Sequence, residues 1–188
     1  SNMASGIIEK SNSGLFCNEI EMNGKYATMV RFLKEEIGIF STFREAYIAA
    51  AIIGFLYNNR GTADSSEKVQ PASIFPNELS KRLPDLKMLY RIIMLADESK
   101  PYTIDEYMNR AFRDDAESET SGNLKNNMTI FNAYVCGGLE ILYEKFKDID
   151  KIDNVVNTLY DFVHEFIVDV GMIEDNEELP DFNIDDLA

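Results

Sequence analysis

Thr42-Phe-Arg-Glu-Ala-Tyr-Ile-Ala-Ala-Ala-Ile-Ile-Gly-Phe-Leu-Tyr-Asn58 is the stretch that decides the fold of this chain. Thr42 and Glu45 have the spacing of a capping box, in which each side chain bonds a backbone amide of the other end of the first turn. From Phe43 to Asn58 the chain is apolar nearly all round. A helix of this kind is surrounded by other helices, so we predict that it is the central one. Its apolar run of 12 residues is too short to cross a bilayer.

Apolar side chains recur at helical spacing on both sides of this stretch, and Thr103 to Glu106 forms a second capping box. We expect residues 15–170 to form a single helical domain, between a flexible segment 1–14 and an acidic tail 171–188. The fold class we predict is all-α, an irregular bundle of about six helices with one minor β element at Val69–Phe75. For residues 15–24 the sequence does not decide between a helix and a strand. The further predicted helices are 25–40, 84–97, 104–113, 124–147 and 152–170.

The composition is that of an ordinary globular protein, with 45% hydrophobic and 27% charged residues in 188. A chain of this length buries enough surface to fold without disulfides. Its two cysteines, Cys17 and Cys136, lie in apolar sequence, and we expect both to be buried free thiols. Free thiols fit a reducing compartment, and we see no secretory signal pattern, so we predict a cytoplasmic protein.

The excess negative charge is confined to the second half of the chain. Residues 1–100 carry 12 Lys or Arg and 12 Asp or Glu, whereas residues 101–188 carry 6 against 21, which accounts for the net charge of −15. Such a half is complementary to a basic surface, so we predict a protein partner with a basic surface. Anionic membranes repel it, and direct binding of nucleic acid is disfavoured over long range. Formation of a homo-oligomer is a further possibility that the sequence leaves open.

The tail, Glu174 to Leu187, alternates acidic and apolar side chains. Segments with this alternation often become ordered on a partner, although a tail that only confers solubility is an equal alternative. We therefore predict a partner-binding set in the tail: Glu177, Glu178, Leu179, Phe182, Ile184 and Leu187.

One basic cluster gives an alternative, nucleic-acid-linked function. Lys87 and Arg91 lie four residues apart and share a helix face. The cluster could contact phosphates, or it could receive an acidic segment, and the acidic half could itself mimic DNA. The candidate nucleic-acid-binding residues are Arg60, Lys81, Arg82, Lys87 and Arg91.

No catalytic motif is complete. His164 is the only histidine, which excludes sites that need two, and with Asp161 three residues earlier it is better explained as a boundary residue than as a general base. A calcium loop starting at Asp115 fails because Thr120 replaces the required glycine and Asn126 the required glutamate. A weak divalent-ion site in this acidic linker is the minor alternative. Phosphate-binding loops and a nucleophile elbow are absent from the sequence. We predict no catalytic residue, no metal and no cofactor.

Gly137 and Gly138 are adjacent in the middle of a predicted helix. Each costs about 1 kcal/mol relative to alanine in a helix interior, so a compensating gain is required. We interpret the pair as a site where another helix approaches closely. A kink or a slot for a small molecule is the alternative.

Two stretches resemble a known family. They are Phe40-Ser-Thr-Phe-Arg-Glu-Ala-Tyr-Ile-Ala-Ala-Ala-Ile-Ile-Gly-Phe55, with Asn58-Asn-Arg60 after it, and Tyr134-Val-Cys-Gly-Gly-Leu-Glu-Ile-Leu142. Both resemble segments of the small accessory proteins encoded beside bacterial DNA phosphorothioation (DNA sulfur-modification) genes. The resemblance implies a helical accessory protein in a restriction or defence locus, and it supplies no catalytic residues. We therefore predict a non-enzymatic adaptor that docks a protein partner.

Overall fold

The computed structural model describes residues 6–9, 14–62, 64, 68–116, 122–149 and 152–171. The predicted all-α class with a minor β element is confirmed. The described residues form seven helices and three short strands: β1 (Ile7–Glu9), β2 (Ile20–Met22), α1 (Lys25–Arg31) with a π-helical continuation (Phe32–Glu36), α2 (Phe43–Leu56), β3 (Ala72–Ile74), α3 (Pro76–Ser80), α4 (Leu83–Ala96), α5 (Ile104–Phe112), α6 (Gly122–Phe146) and α7 (Ile152–Asp169).

The three strands form an antiparallel sheet in the order β1-β2-β3. Ile20 of β2 pairs with Glu9 of β1 and with Ile74 of β3. Ile20, Ile74 and Met22 are buried. The predicted strand at Val69–Phe75 is thus confirmed for Ala72–Ile74, and the unassigned N-terminal segment contributes β2.

Both predicted capping boxes are present. The amide of Glu45 donates to Oγ1 of Thr42 over 3.1 Å, while the Glu45 carboxylate accepts from the Thr42 amide over 3.2 Å. Thr103 and Glu106 repeat this arrangement at the start of α5. These reciprocal bonds satisfy amides that have no partner inside the helix, so each helix begins at a defined residue.

The prediction of close helix packing at Gly137 and Gly138 is also confirmed. A Cβ atom on Gly138 would clash with the carbonyl oxygen of Ala50 in α2, and a Cβ on Gly54 in α2 would clash with that of Tyr134 in α6. A Cβ on Gly137 would meet the backbone of Asn59. The glycines therefore let the backbones of α2 and α6, and of the loop after α2, come into direct contact.

Four aromatic rings form the centre of the core beside this crossing. Phe131 of α6 lies 5.3 Å from Phe16, 5.9 Å from Tyr47 and 6.4 Å from Tyr90, measured between ring centroids. All four residues are buried. Because they come from α2, α4, α6 and the segment before β2, this cluster joins separate parts of the chain into one core.

The expectation for the two cysteines is half right. Cys136 is buried in α6, and burial raises the pKa of its thiol to about 12. Cys17 is exposed, so its predicted burial is wrong. The neighbouring Leu15 and Phe16 occupy the core instead, with Phe16 at a φ of 59° in a turn.

Contacts along the chain divide it into two compact units, residues 1–144 and 145–188. In the second unit, Nζ of Lys145 pairs with Glu165 over 2.6 Å, and Phe162 is buried. Val156, Leu159 and Val163, which recur at helical spacing along α7, are exposed. The existence of one helical domain over residues 15–170 stays a prediction.

Among the described residues, no helix is both long and apolar enough to cross a membrane.

Candidate functional site

The residues predicted from the tail, namely Glu177, Glu178, Leu179, Phe182, Ile184 and Leu187, lie outside the described residues. Their role as a partner-binding set therefore stays a prediction. Glu117 and Glu119, which belong to the acidic linker considered for a divalent-ion site, also lie outside the described residues. Among the residues that are described, no group of three or more His, Cys, Asp or Glu is placed to hold a metal ion.

The predicted basic cluster is largely engaged within its own chain. Nε of Arg82 pairs with Asp85 over 2.6 Å. Arg91 donates to the carbonyl oxygen of Ala111 over 2.6 Å and to Asp115 over 3.1 Å. These pairs neutralise two of the cations counted for phosphate contact.

The remaining members of the basic cluster differ in their surroundings. The guanidinium of Arg60 lies 5.8 Å from the ring centroid of Tyr134. Lys81 is exposed and Lys87 is half-buried. Binding of nucleic acid by the five cations stays a prediction.

His164, half-buried on α7, is in the second unit with the exposed Asp161.

The strongest polar site centres on Asp97, at the C-terminal end of α4. Its carboxylate is completely buried and accepts hydrogen bonds from Ser99 Oγ (2.7 Å), Tyr134 Oη (2.7 Å) and Arg110 Nη2 (3.0 Å). Burial alone would raise the pKa of Asp97, but these bonds outweigh it and hold the pKa below its ordinary value. With the Ser99 amide, which also donates to it over 3.3 Å, the carboxylate is a fixed anion with four donors, which suits binding and positioning better than proton transfer.

A second set of polar side chains continues from this centre towards α6. Tyr90 Oη donates to the carbonyl oxygen of Arg110 over 2.9 Å. The Asn127 amide donates to Tyr90 Oη over 3.1 Å and to Asp114 over 2.8 Å. Burial raises the pKa of Tyr90 well above its ordinary value, so its hydroxyl stays a donor. These bonds tie α4, α5 and α6 to one another.

Arg110 is the least satisfied member of the site. Its side chain is 7% exposed, and Nη2 bonds Asp97. Nε and Nη1 are buried and have no acceptor within the described part of the chain. The ring of Tyr102 stacks on the guanidinium, with 3.9 Å between Cζ and the ring centroid.

A cleft of about 330 Å³ opens beside Arg110, between α5 and α6. It is polar, with a single aliphatic side chain, that of Ile130, in its wall. Its lining consists of Lys100, Tyr102, Glu106, Asn109, Arg110, Asp114, Asn123, Asn126, Asn127 and Ile130.

The sequence patterns located the helices of this site but not its chemistry. Asp97 and Arg110 are 13 residues apart in different helices, and Tyr134 is 37 residues from Asp97. No pattern of sequence spacing predicts that residues this far apart along the chain will meet.

A separate apolar surface lies on the outer side of α4 and α5. Met88, Ile92 and Leu95 of α4 recur at helical spacing and are exposed by 61%, 47% and 41%. Three residues of α5, Ile104, Met108 and Phe112, are also exposed and share a face. We call these six residues the α4–α5 surface.

The two halves of the α4–α5 surface adjoin at Arg91. This residue precedes Ile92, and its guanidinium carbon lies 5.6 Å from the ring centroid of Phe112. The stripe pattern on each helix resembles the face of a helix that packs against another element. Within the described residues of this chain, no element covers it.

Comparison with known proteins identifies a family. The model of the family described as DNA sulphur modification system-associated protein 4 matches residues 20–166. That span includes α2, α4, α5 and α6 and ends within α7. Neither the curated proteins nor the solved structures contain a match.

Proposed function

Since this chain belongs to the family of DNA sulphur modification system-associated protein 4, we propose that it is a non-enzymatic accessory protein of such a system, in the bacterial cytoplasm. In this proposal it acts as an adaptor that docks a protein component of the modification-dependent defence machinery. The observation that carries the proposal is the α4–α5 surface, since six large apolar side chains are exposed on two adjoining helices.

The size and pattern of the surface favour a docking function. Single exposed apolar residues are common on soluble proteins, whereas exposed apolar stripes at helical spacing on two packed helices are of the kind that marks protein interfaces. Taking a large apolar side chain from full exposure to full burial is worth about 1.5–3 kcal/mol, and on these residues only the part that is still exposed contributes. Contact with several of these residues therefore supplies much of the free energy that a specific complex needs.

Charge defines the kind of partner. The chain has a net charge of −15, with the acidic excess in residues 101–188, which include α5. Asp105 and Glu106 follow Ile104 directly and are exposed. A complementary partner presents an apolar patch within a basic surface. Electrostatic attraction then increases the association rate and weakens as salt is added.

The polar site argues for a binding protein as well. Asp97 is saturated with donors, and the pKa of this carboxyl is lowered, so it is a poor general base at neutral pH. The two carboxylates that line the cleft are already engaged, since Glu106 serves the α5 capping box and Asp114 accepts from Asn127.

The test is co-purification of the full chain with the individually expressed proteins of its DNA sulphur modification system. We expect one of them to be retained by the wild-type chain and lost with an Ile92→Asp/Met108→Asp variant. Leu56→Asp on α2 is the matched control, since Leu56 is 47% exposed, as is Ile92.

Two outcomes would count against the adaptor function. Retention of no system protein by the wild-type chain would remove its basis. Equal loss of binding in the double variant and in Leu56→Asp would show that the α4–α5 surface is not the contact. Circular dichroism of each variant checks that the fold is intact.

A further inference from the structure

The guanidinium of Arg110 has two buried nitrogen atoms, Nε and Nη1, without an acceptor among the described residues. Leaving such donors unsatisfied is costly, and native structures rarely retain them without a reason. The side chain is also held in place, since Asp97 fixes Nη2 and Tyr102 stacks on its face. Arg110 is thus a buried donor with unused hydrogen-bonding capacity in the wall of a cleft.

Most of the other cleft side chains are able to donate hydrogen bonds. Lys100 is exposed, with Nζ 4.9 Å from the ring centroid of Tyr102. Asn109, Asn123 and Asn126 add side-chain amides, each of which can donate and accept. Their combination suits a ligand that has an anionic group together with a polar body.

The two carboxylates in the lining do not prevent such binding. Glu106 accepts hydrogen bonds from the Thr103 amide over 2.7 Å, which directs it to the helix start. Asp114 accepts from Asn127 over 2.8 Å. Each carboxylate therefore already accepts a hydrogen bond within the chain, whereas Lys100 is exposed and Nε and Nη1 of Arg110 have no acceptor among the described residues.

The volume sets the size of the ligand. Binding sites for small molecules range from about 300 to 1,000 Å³, and this cleft of about 330 Å³ is at the lower end. A bare phosphate fills only a fraction of it. A phosphorylated molecule with one ring system fills it better.

We propose that the cleft between α5 and α6 binds a phosphorylated small molecule of mononucleotide size. Lys100 and Arg110 donate to the phosphate, and the asparagine amides hold the polar body. Because Nε and Nη1 of Arg110 are shielded from water, the side chain of Arg110 or Tyr102 shifts when the phosphate reaches them. This site is independent of the adaptor function proposed above.

The experiment is a titration of the full chain followed by the amide resonances in proton–nitrogen correlation spectra. The probes are AMP, inorganic phosphate and adenosine. We expect AMP to cause saturable shifts in residues 100–110 and 122–130. Adenosine, which lacks the phosphate, and inorganic phosphate, which lacks the polar body, should each bind at least about tenfold more weakly.

Variants locate the binding. Lys100→Ala and Asn126→Ala should each weaken AMP binding about tenfold, since each removes a hydrogen bond to the ligand. Lys125→Ala is the matched control, because Lys125 is an exposed cation next to Asn126 that is not in the cleft lining. It should leave the affinity unchanged. All three positions are on the surface or half-buried, so the fold should persist.

Several results would overturn the proposal. Absence of shifts with both AMP and phosphate would exclude the site, and equal binding of adenosine would exclude the role of the phosphate. Equal weakening by Lys125→Ala would show a non-specific charge effect. Binding that is seen only in a Glu117→Gln/Glu119→Gln variant would show that the chain's own linker carboxylates occupy the cleft.

Discussion

The crossing of α2 and α6 and the polar site around Asp97 are two interior regions of the same unit, built on opposite principles. At the crossing, glycines bring two backbones into contact, and packing alone accounts for the residues found there. Around Asp97, an ion pair and several hydroxyls are buried instead. Apolar side chains of similar volume would stabilise a helix interface at least as well as a buried ion pair.

The difference teaches which region specifies the fold and which supports a function. The glycines at positions 54 and 138 let the two helix backbones approach this closely, so they serve packing directly. The polar site has no such packing role, and the two nitrogen atoms of Arg110 without an acceptor lower stability. These nitrogen atoms of Arg110 stay without an acceptor beside a cleft, and this is the physical reason to propose that a ligand binds there.

The largest effect is expected from Asp97→Asn. The change leaves the buried charge of Arg110 without its counter-ion, which costs about 3–5 kcal/mol. Asp85→Asn is the matched control, because it breaks an ion pair of the same type whose partners are both more than half exposed, and it should cost less than about 1 kcal/mol. Urea unfolding measures both. Equal losses would show that burial does not distinguish the two pairs.

The next largest effect concerns the crossing. Gly138→Ala places a methyl group against the carbonyl oxygen of Ala50, so the backbones must separate, and we expect a loss of about 1–3 kcal/mol. Gly122→Ala in the same helix meets open space and should be neutral or slightly stabilising. Thermal unfolding of the two variants checks this, and a neutral Gly138→Ala would contradict the close contact.

The free energy of unfolding should depend on pH differently in variants of the two regions. The pKa of Asp97 is lower in the folded state than in the unfolded chain, so its contribution is present above the ordinary pKa of about 4 and is lost as the pH falls through the folded value. Asp97→Asn should remove that part of the acid destabilisation, whereas Gly138→Ala should keep it. Unfolding free energies measured between neutral and acidic pH show which is correct.

The smallest effect on stability is expected at the α4–α5 surface. Ile92→Asp removes an exposed side chain and should change the unfolding free energy by less than about 1 kcal/mol. A larger loss, measured by urea unfolding, would mean that the surface belongs to the core of this chain. That result would remove the reason to assign it to a partner.

Local signals predicted the first of these regions, and long-range contacts prevented prediction of the second. The helix α2 is recognisable because its capping box and apolar composition are encoded within 17 consecutive residues, and the glycine pair marked where it is crossed. By contrast, Asp97, Arg110 and Tyr134 meet only in the folded chain. The short helix α3 was missed for another reason, because a five-residue element beginning at Pro76 has no periodicity to detect.

Hydrogen exchange of the full chain, with and without the system protein that co-purifies with it, tests the adaptor account most directly. We predict slower exchange of amides in residues 88–95 and 104–112 in the complex, with that protection lost in the Ile92→Asp/Met108→Asp variant. Tight binding without protection of either helix would contradict the assignment of the α4–α5 surface as the docking site.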